Sequence, residues 1–134
     1  MSQENVELVC RSVDAFSRGD LDGVLEKYTP DAMFDWSNSR GFDAGVFRGH
    51  DEIRAFMERF REAFGDIRVE LLGDPVEVED GLVVAENVSY SRGRDGIVVQ
   101  ARSAWLITIR GGEQTSLTLY QTKQEALETA GLRE

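Results

Sequence analysis

Cysteine and histidine each occur once in this 134-residue chain, as Cys10 and His50, so an internal disulfide is impossible and a structural zinc site has too few ligands. Cys10 is then read as a small buried hydrophobe of the first helix. Basic residues are scarce as well: 15 Lys and Arg stand against 25 Asp and Glu, a net charge of −10. That excess repels phosphate backbones and anionic lipid heads, which argues against nucleic acid or a membrane as a partner. No apolar run reaches the ~18 residues of a membrane span, and Met1-Ser2-Gln3-Glu4 lacks the basic start and apolar core of a secretion signal, so a cytoplasmic location is expected. Internal repeats, low-complexity tracts, glycine-rich phosphate loops and metal-ligand clusters are absent, and neither a metal nor a cofactor is expected.

What is present fits one domain over 1–134, built around one core. Val6, Val9, Val13 and Phe16 recur at helical spacing and predict a helix from near Ser2, closed by a left-handed Gly19. Asp20 is placed to cap a second, short helix that puts Leu21, Val24, Leu25 and Tyr28 on one face and stops at Pro30. A strand is expected from Ala32, with Phe34 and Trp36 on the same side. Ser37 to Gly49 has loop composition and the length to form a pocket rim or lid. His50 opens a third helix, where Asp51 and Glu52 suit the partial positive charge of the N-terminus. Its stripe of Ile53, Phe56, Met57, Phe60 and Phe64 fits either a packed core or a cavity wall.

From Ile67 the apolar period shortens to two, which predicts four strands joined by turns at Asp80-Gly81, Arg92 to Gly96 and Arg110 to Gly112. They are Arg68 to Glu79, Leu82 to Ser91, Ile97 to Ile109 and Thr115 to Tyr120, the first interrupted at Gly73-Asp74-Pro75 by a bulge or an edge position. Thr122 and Glu125 form a capping-box pair before a final helix carrying Ala126, Leu127 and Ala130 and closed by Gly131. Helices first and a meander after define an α+β fold: a cone-shaped, curved antiparallel sheet against three helices, with a short C-terminal helix.

The sequence GDLDG, the Tyr-x-x-Asp-Ala that follows it, Phe47-Arg48-Gly49-His50 before a helix and the ending YQTKQEALETAGL together resemble the SnoaL-like branch of the superfamily of ketosteroid isomerase and nuclear transport factor 2. That resemblance implies a cone with an internal pocket, on a fold that hosts isomerases, polyketide cyclases, dehydratases, epoxide hydrolases and non-catalytic binders. It does not carry the isomerase's chemistry across. The family's general-base aspartate falls on Trp36, its oxyanion tyrosine on Ser12, and its protonated aspartate within Ser103-Ala104-Trp105. The epoxide hydrolases' Arg-x-Asp is replaced by Arg102-Ser103-Ala104.

Placing Val99, Ala101, Ser103 and Trp105 inward suggests that Val84, Glu86, Val88 and Tyr90 face the same cavity from the neighbouring strand. Glu86 is then a lone carboxylate in an apolar row, which must be paired, hydrated or protonated, and it is the one candidate acid or base; a strand-face slip would instead turn it to solvent. Tyr90 and Tyr120 are candidate hydroxyls near the mouth, and Ser12 and Ser103 are small polar groups open to a ligand. The expected walls are Phe16, Phe34, Trp36, Phe56, Phe60 and Trp105, with no Arg or Lys, so an apolar or aromatic small molecule is the expected partner. Two functions follow: an isomerase, cyclase or dehydratase using Glu86, or a binding or assembly module without catalysis. Gln100, Arg102, Leu106 and Thr108 are expected on the outer sheet face, with Leu117 and Leu119 beside them, which points to a homodimer through that face.

Overall fold

A computed structural model describes residues 3–39, 44–92, 96 and 98–131, with Asp66 defined by its backbone. In chain order the elements are α1 (Gln3–Ser17), α2 (Leu21–Leu25), β1 (Tyr28–Asp35), β2 (Val46–Arg48), α3 (Gly49–Phe64), β3 (Asp66–Leu71), β4 (Val76–Glu79), β5 (Leu82–Arg92), β6 (Val98–Arg110), β7 (Glu113–Tyr120) and α4 (Lys123–Thr129). The strands form one curved, unclosed sheet in the order β2-β1-β7-β6-β5-β3, with β4 also on β5.

The helix ends form as the sequence dictates. Gly19 takes φ 78°, and the Asp20 carboxylate accepts from the Gly23 N–H at 2.9 Å. Thr122 and Glu125 complete the expected capping box of α4. The N-cap of α3 is Arg48, which has no side-chain cap bond of its own; instead its N–H donates to Glu52 Oε1 at 2.8 Å. The His50 ring bonds the Tyr28 carbonyl at 3.0 Å and so ties α3 to β1. Cys10 is half-buried, not buried.

The strands differ from expectation at β2, which forms on β1 inside the stretch expected as loop, and in three further places. Tyr28 is the first residue of β1 and not the last of α2, because β1 pairs parallel with β7 from Tyr28 opposite Gln114; Pro30 lies inside an irregular stretch of that pairing. The sheet is therefore mixed. Gly73-Asp74-Pro75 splits the long predicted strand into β3 and β4, which dock on different halves of β5. Leu117 and Leu119 pair with Ile107 and Trp105 and share their inward face, so they do not enlarge the outer apolar surface. That removes part of the ground on which a homodimer was expected. The loop at 37–49 is described except for 40–43, and the turn at 92–96 except for 93–95; a lid built on the former lies partly outside the described residues.

Helices α1 and α3 lie on the concave face. Ser17 fixes the end of α1 to β3, its hydroxyl accepting from Val69 N–H at 3.0 Å and facing Val69 O at 3.2 Å. Arg61 of α3 donates to Phe16 O at 2.9 Å and lies over the Phe16 ring. The short α4 packs on the opposite face, where Ala126 is buried with Val84 and Ala104.

The turn between β4 and β5 rests on Gly81. Its φ is +79°, its N–H donates to the buried Glu77 at 2.8 Å, and a Cβ there would lie 2.5 Å from Ile109 O. Gly111 also has positive φ, +58°, but no atom within 4 Å of an added Cβ. Gly81→Ala should therefore cost at least ~2 kcal/mol and Gly111→Ala about 1 kcal/mol, the difference being the clash with Ile109. Urea denaturation of the two variants measures it, and equal losses would contradict this role for Gly81.

Candidate functional site

The concave face encloses a cavity of about 90 Å³ between α1, α3 and the inward rows of β1, β3, β5, β6 and β7. Its rings come from Phe16 of α1, Tyr28 and Phe34 of β1, Trp36 just beyond that strand, Phe56 and Phe60 of α3, and Trp105 of β6. Phe56 of α3 sits at their centre, with centroids 6.3 Å from Phe34, 5.1 Å from Trp36, 4.6 Å from Phe47 and 5.8 Å from Phe60. The aromatic stripe of α3 is thus both core and cavity wall, because a helix face wider than the gap it fills meets the sheet with one edge and the cavity with the other. The lining residues that keep partial exposure are Phe16, Trp36, Phe60, Ser89, Ser103 and Trp105, and they mark the rim. Val9, Val24, Tyr28, Ile107 and Gln114 are buried and form the floor.

Ser12, Phe16, Phe34, Trp36, Phe56, Phe60, Ser103 and Trp105 come together in this cavity as the sequence suggested. Glu86, Tyr90 and Tyr120 do not. Antiparallel partners share a face, and the register sets Asn87 opposite Ser103 and Ala85 opposite Trp105, which leaves Glu86 opposite Ala104 on the outer face. Tyr90, opposite Gln100, lies outside with its ring under Arg68, and Tyr120 packs with Val84, Ala104 and Ala126 beneath α4. The step that failed is the parity of the pairing, because the expected five-residue turn from Arg92 to Gly96 already sets Ser91 opposite Ile97 and so pairs odd positions with odd ones. The last rung joins Arg92 to Val98, and the five residues between them put odd positions of both strands inward.

The structure adds Tyr28, Asn87 and Gln114 to the cavity. Asn87 is 1% exposed and satisfied: its Oδ1 accepts from Ser103 Oγ at 3.1 Å and its Nδ2 donates to Ala85 O at 3.2 Å. Tyr28 is hydrogen-bonded to the Ser12 side chain, and burial drives its phenol well above the usual tyrosine range, against a smaller lowering by Ser12. Tyr28 is the single ionisable side chain among the described residues lining the cavity. A tyrosine hydroxyl therefore stands beside Ser12, the position to which the isomerase resemblance assigns a tyrosine, but it comes from β1 and not from α1.

Parity along β5, counted across the expected Arg92 to Gly96 turn, identifies Asn87 as the partner row of Ser103. Nothing in the sequence marks Gln114, whose inward aim depends on an irregularity in the β6–β7 pairing, where Thr108 opposes Ser116 but Ile109 opposes Gln114.

The raised phenol gives a signed prediction. Above pH 10 the unfolded chain releases the Tyr28 proton while the folded chain retains it, so this residue withdraws stability as pH rises past its free value. Between about pH 9 and about pH 11 the wild type should lose more stability than Tyr28→Phe. Chemical denaturation of both proteins tests this; parallel losses would mean that Tyr28 is not held protonated.

The SnoaL-like domain family matches residues 9–117 of this chain. An uncharacterized protein of Mycobacterium tuberculosis is 31% identical over 125 residues, covering 93% of this chain and 94% of that protein. Among solved structures, TerC co-crystallized with polyporic acid gives a TM-score of 0.78 at 19% identity, covering 97% of this chain and 100% of TerC. A second M. tuberculosis protein, in complex with estradiol-17beta-hemisuccinate, gives 0.77 at 14% identity, covering 90% of this chain and 95% of that one. At such identities the structural matches establish the fold. No helix among the described residues is long and apolar enough to cross a membrane. The chain belongs to the SnoaL-like domain family and has its nuclear transport factor 2-like fold.

Proposed function

We propose that this domain is a receptor for a small, uncharged, mainly aromatic molecule, held in the cavity by ring contacts and a few neutral hydrogen-bonding groups. The observation that carries this reading is the charge of the wall: among the described residues that line the cavity there is no Asp, Glu, His, Lys or Arg. An ionised ligand entering such a site loses its hydration without gaining a partner charge, whereas an aromatic one exchanges water for the faces and edges of Phe34, Phe56, Phe60 and the two tryptophans. The fold relatives with polyporic acid and estradiol-17beta-hemisuccinate bound support by analogy the ring character of the ligand and not its lack of charge, since both of those molecules carry acidic groups.

The same observation separates binding from the acid–base chemistry of the isomerases. Proton abstraction needs a group that accepts a proton near neutrality within reach of the substrate. Glu86 is on the wrong face for that role, and the buried Tyr28 is a hydrogen-bond donor, not a base. Binding, with polarisation of a ligand oxygen by neutral donors, is the function that the wall supports. The free volume of about 90 Å³ suits a single ring; fused rings require Trp36 or Phe60 at the rim to turn aside.

Both tryptophans line the cavity and report on its occupancy. Titration with phenols and aromatic ketones should change intrinsic fluorescence saturably, with single-ring compounds binding more tightly than polycyclic ones, while sugar phosphates leave it unchanged. A saturable response to the phosphates alone would refute the receptor reading.

A further inference from the structure

Gln114 is fully buried on the cavity floor, yet neither its Nε2 nor its Oε1 has a hydrogen-bond partner among the described residues. Both ends of the carboxamide are unpaired, so the observation holds whichever way the amide is turned. Buried amides are normally satisfied, and an apolar side chain of the same size would remove the cost at this position. The backbone here has its own structural bond, Gln114 N–H to Lys27 O at 2.8 Å, which does not involve the side chain.

The aim of the side chain comes from a local backbone device. Leu119 and Leu117 face inward and Ser116 outward, so strict alternation would turn residue 115 in and residue 114 out. The extra residue, Thr115, makes a bulge between the Thr108–Ser116 and Ile109–Gln114 rungs, its hydroxyl donating to Thr108 O at 3.2 Å, and this turns Gln114 into the cavity. By contrast, Asn87 in the same cavity is internally satisfied and has no such vacancy.

We propose that Gln114 is the specificity anchor of the cavity and selects ligands that carry a hydrogen-bond donor and acceptor side by side, a primary or cyclic amide or a neutral carboxylic acid, on an apolar ring. A carboxamide presents N–H and C=O along one edge, and a second amide or an un-ionised acid closes two parallel bonds with it. This rests on the receptor reading and narrows it. The indole Nε1 of Trp105, buried and also without a partner among the described residues, adds one donor for a second ligand acceptor. An ionised carboxylate is selected against, because the wall offers no cation and Gln114 Oε1 would face it.

Three compounds of nearly equal shape test the anchor: benzamide, with donor and acceptor; acetophenone, with an acceptor only; and cumene, with neither. In the wild type, benzamide should shift the Gln114 side-chain amide resonances in a ¹⁵N–¹H spectrum and cumene should not. Gln114→Leu should weaken benzamide about 10- to 100-fold and acetophenone less, while cumene binds as well or better, which also shows that the variant cavity is intact. If all three compounds bind but the substitution leaves benzamide unchanged, or if benzamide does not move the Gln114 resonances, the anchor is overturned and the receptor reading stands. If none of the three binds, both fall.

Discussion

When Arg92 pairs with Val98, every rung between β5 and β6 down to Leu82 and Thr108 is set, and with it the composition of the cavity. One residue more or less in the connection would exchange the two faces of β5. Glu86 and Tyr90 would then stand where Asn87 and Ser89 stand, and a carboxylate would enter an aromatic chamber. Three further features agree with the observed register: the Asn87–Ser103 bond across the strands, the burial of Val84 and Ala104 against Ala126 of α4, and the pairing of Leu117 and Leu119 with the inward row of β6. A slip of β5 along β6 would break the first two together, while the pairing with β7 fixes which face of β6 is inward, and such mutual support gives one register an energy gap over its neighbours.

Around that register the interior is assembled from rings and short neutral polar groups. Phe56 touches four aromatic neighbours contributed by β1, β2 and α3, so that one helix face organises the strand end and the rim together. Each such pair contributes roughly 0.5–1.5 kcal/mol beyond its area. A charged group placed among them would cost several kcal/mol unless paired, and the described wall has none. The polar groups that do occur divide into two kinds. Asn87, Ser103, Ser12 and Tyr28 bond to one another or to the backbone, while Gln114 and the Trp105 indole are left unpartnered. The first kind is part of the fold, and the second lines the cavity without a partner among the described residues.

Much of this architecture is legible in the sequence because caps, turns and apolar periods are local signals. Asp20, Gly19, the Thr122–Glu125 pair and the stripe of α3 each act within a turn or two of chain, and each forms as expected. Of the eight expected residues that line the cavity, alternation carries four, Phe34 with Trp36 at the end of β1 and Ser103 with Trp105 on β6, while Ser12, Phe16, Phe56 and Phe60 lie on α1 and α3. The faces of β5 and β7 are a different matter. They depend on counting partners across the Arg92 to Gly96 connection and on one bulge, neither of which alternation within a strand encodes; the count separates Glu86 from Asn87, and the bulge brings the buried Gln114 to the cavity wall. Tyr28 was misplaced for a related reason. Its helical spacing from Leu21, Val24 and Leu25 is real, but parallel pairing with β7 takes it first.

The central claim, that the cavity takes neutral molecules because its wall carries no charge, is tested most directly with a ligand whose own charge can be switched. A nitrophenol that ionises near neutrality should bind this protein as its neutral form, its apparent affinity falling about tenfold per pH unit once the free phenol ionises. The curve should follow the pKa of the ligand and be the same in Glu86→Gln, since Glu86 lies on the far side of the sheet. Binding that strengthens as the phenolate forms would contradict the account.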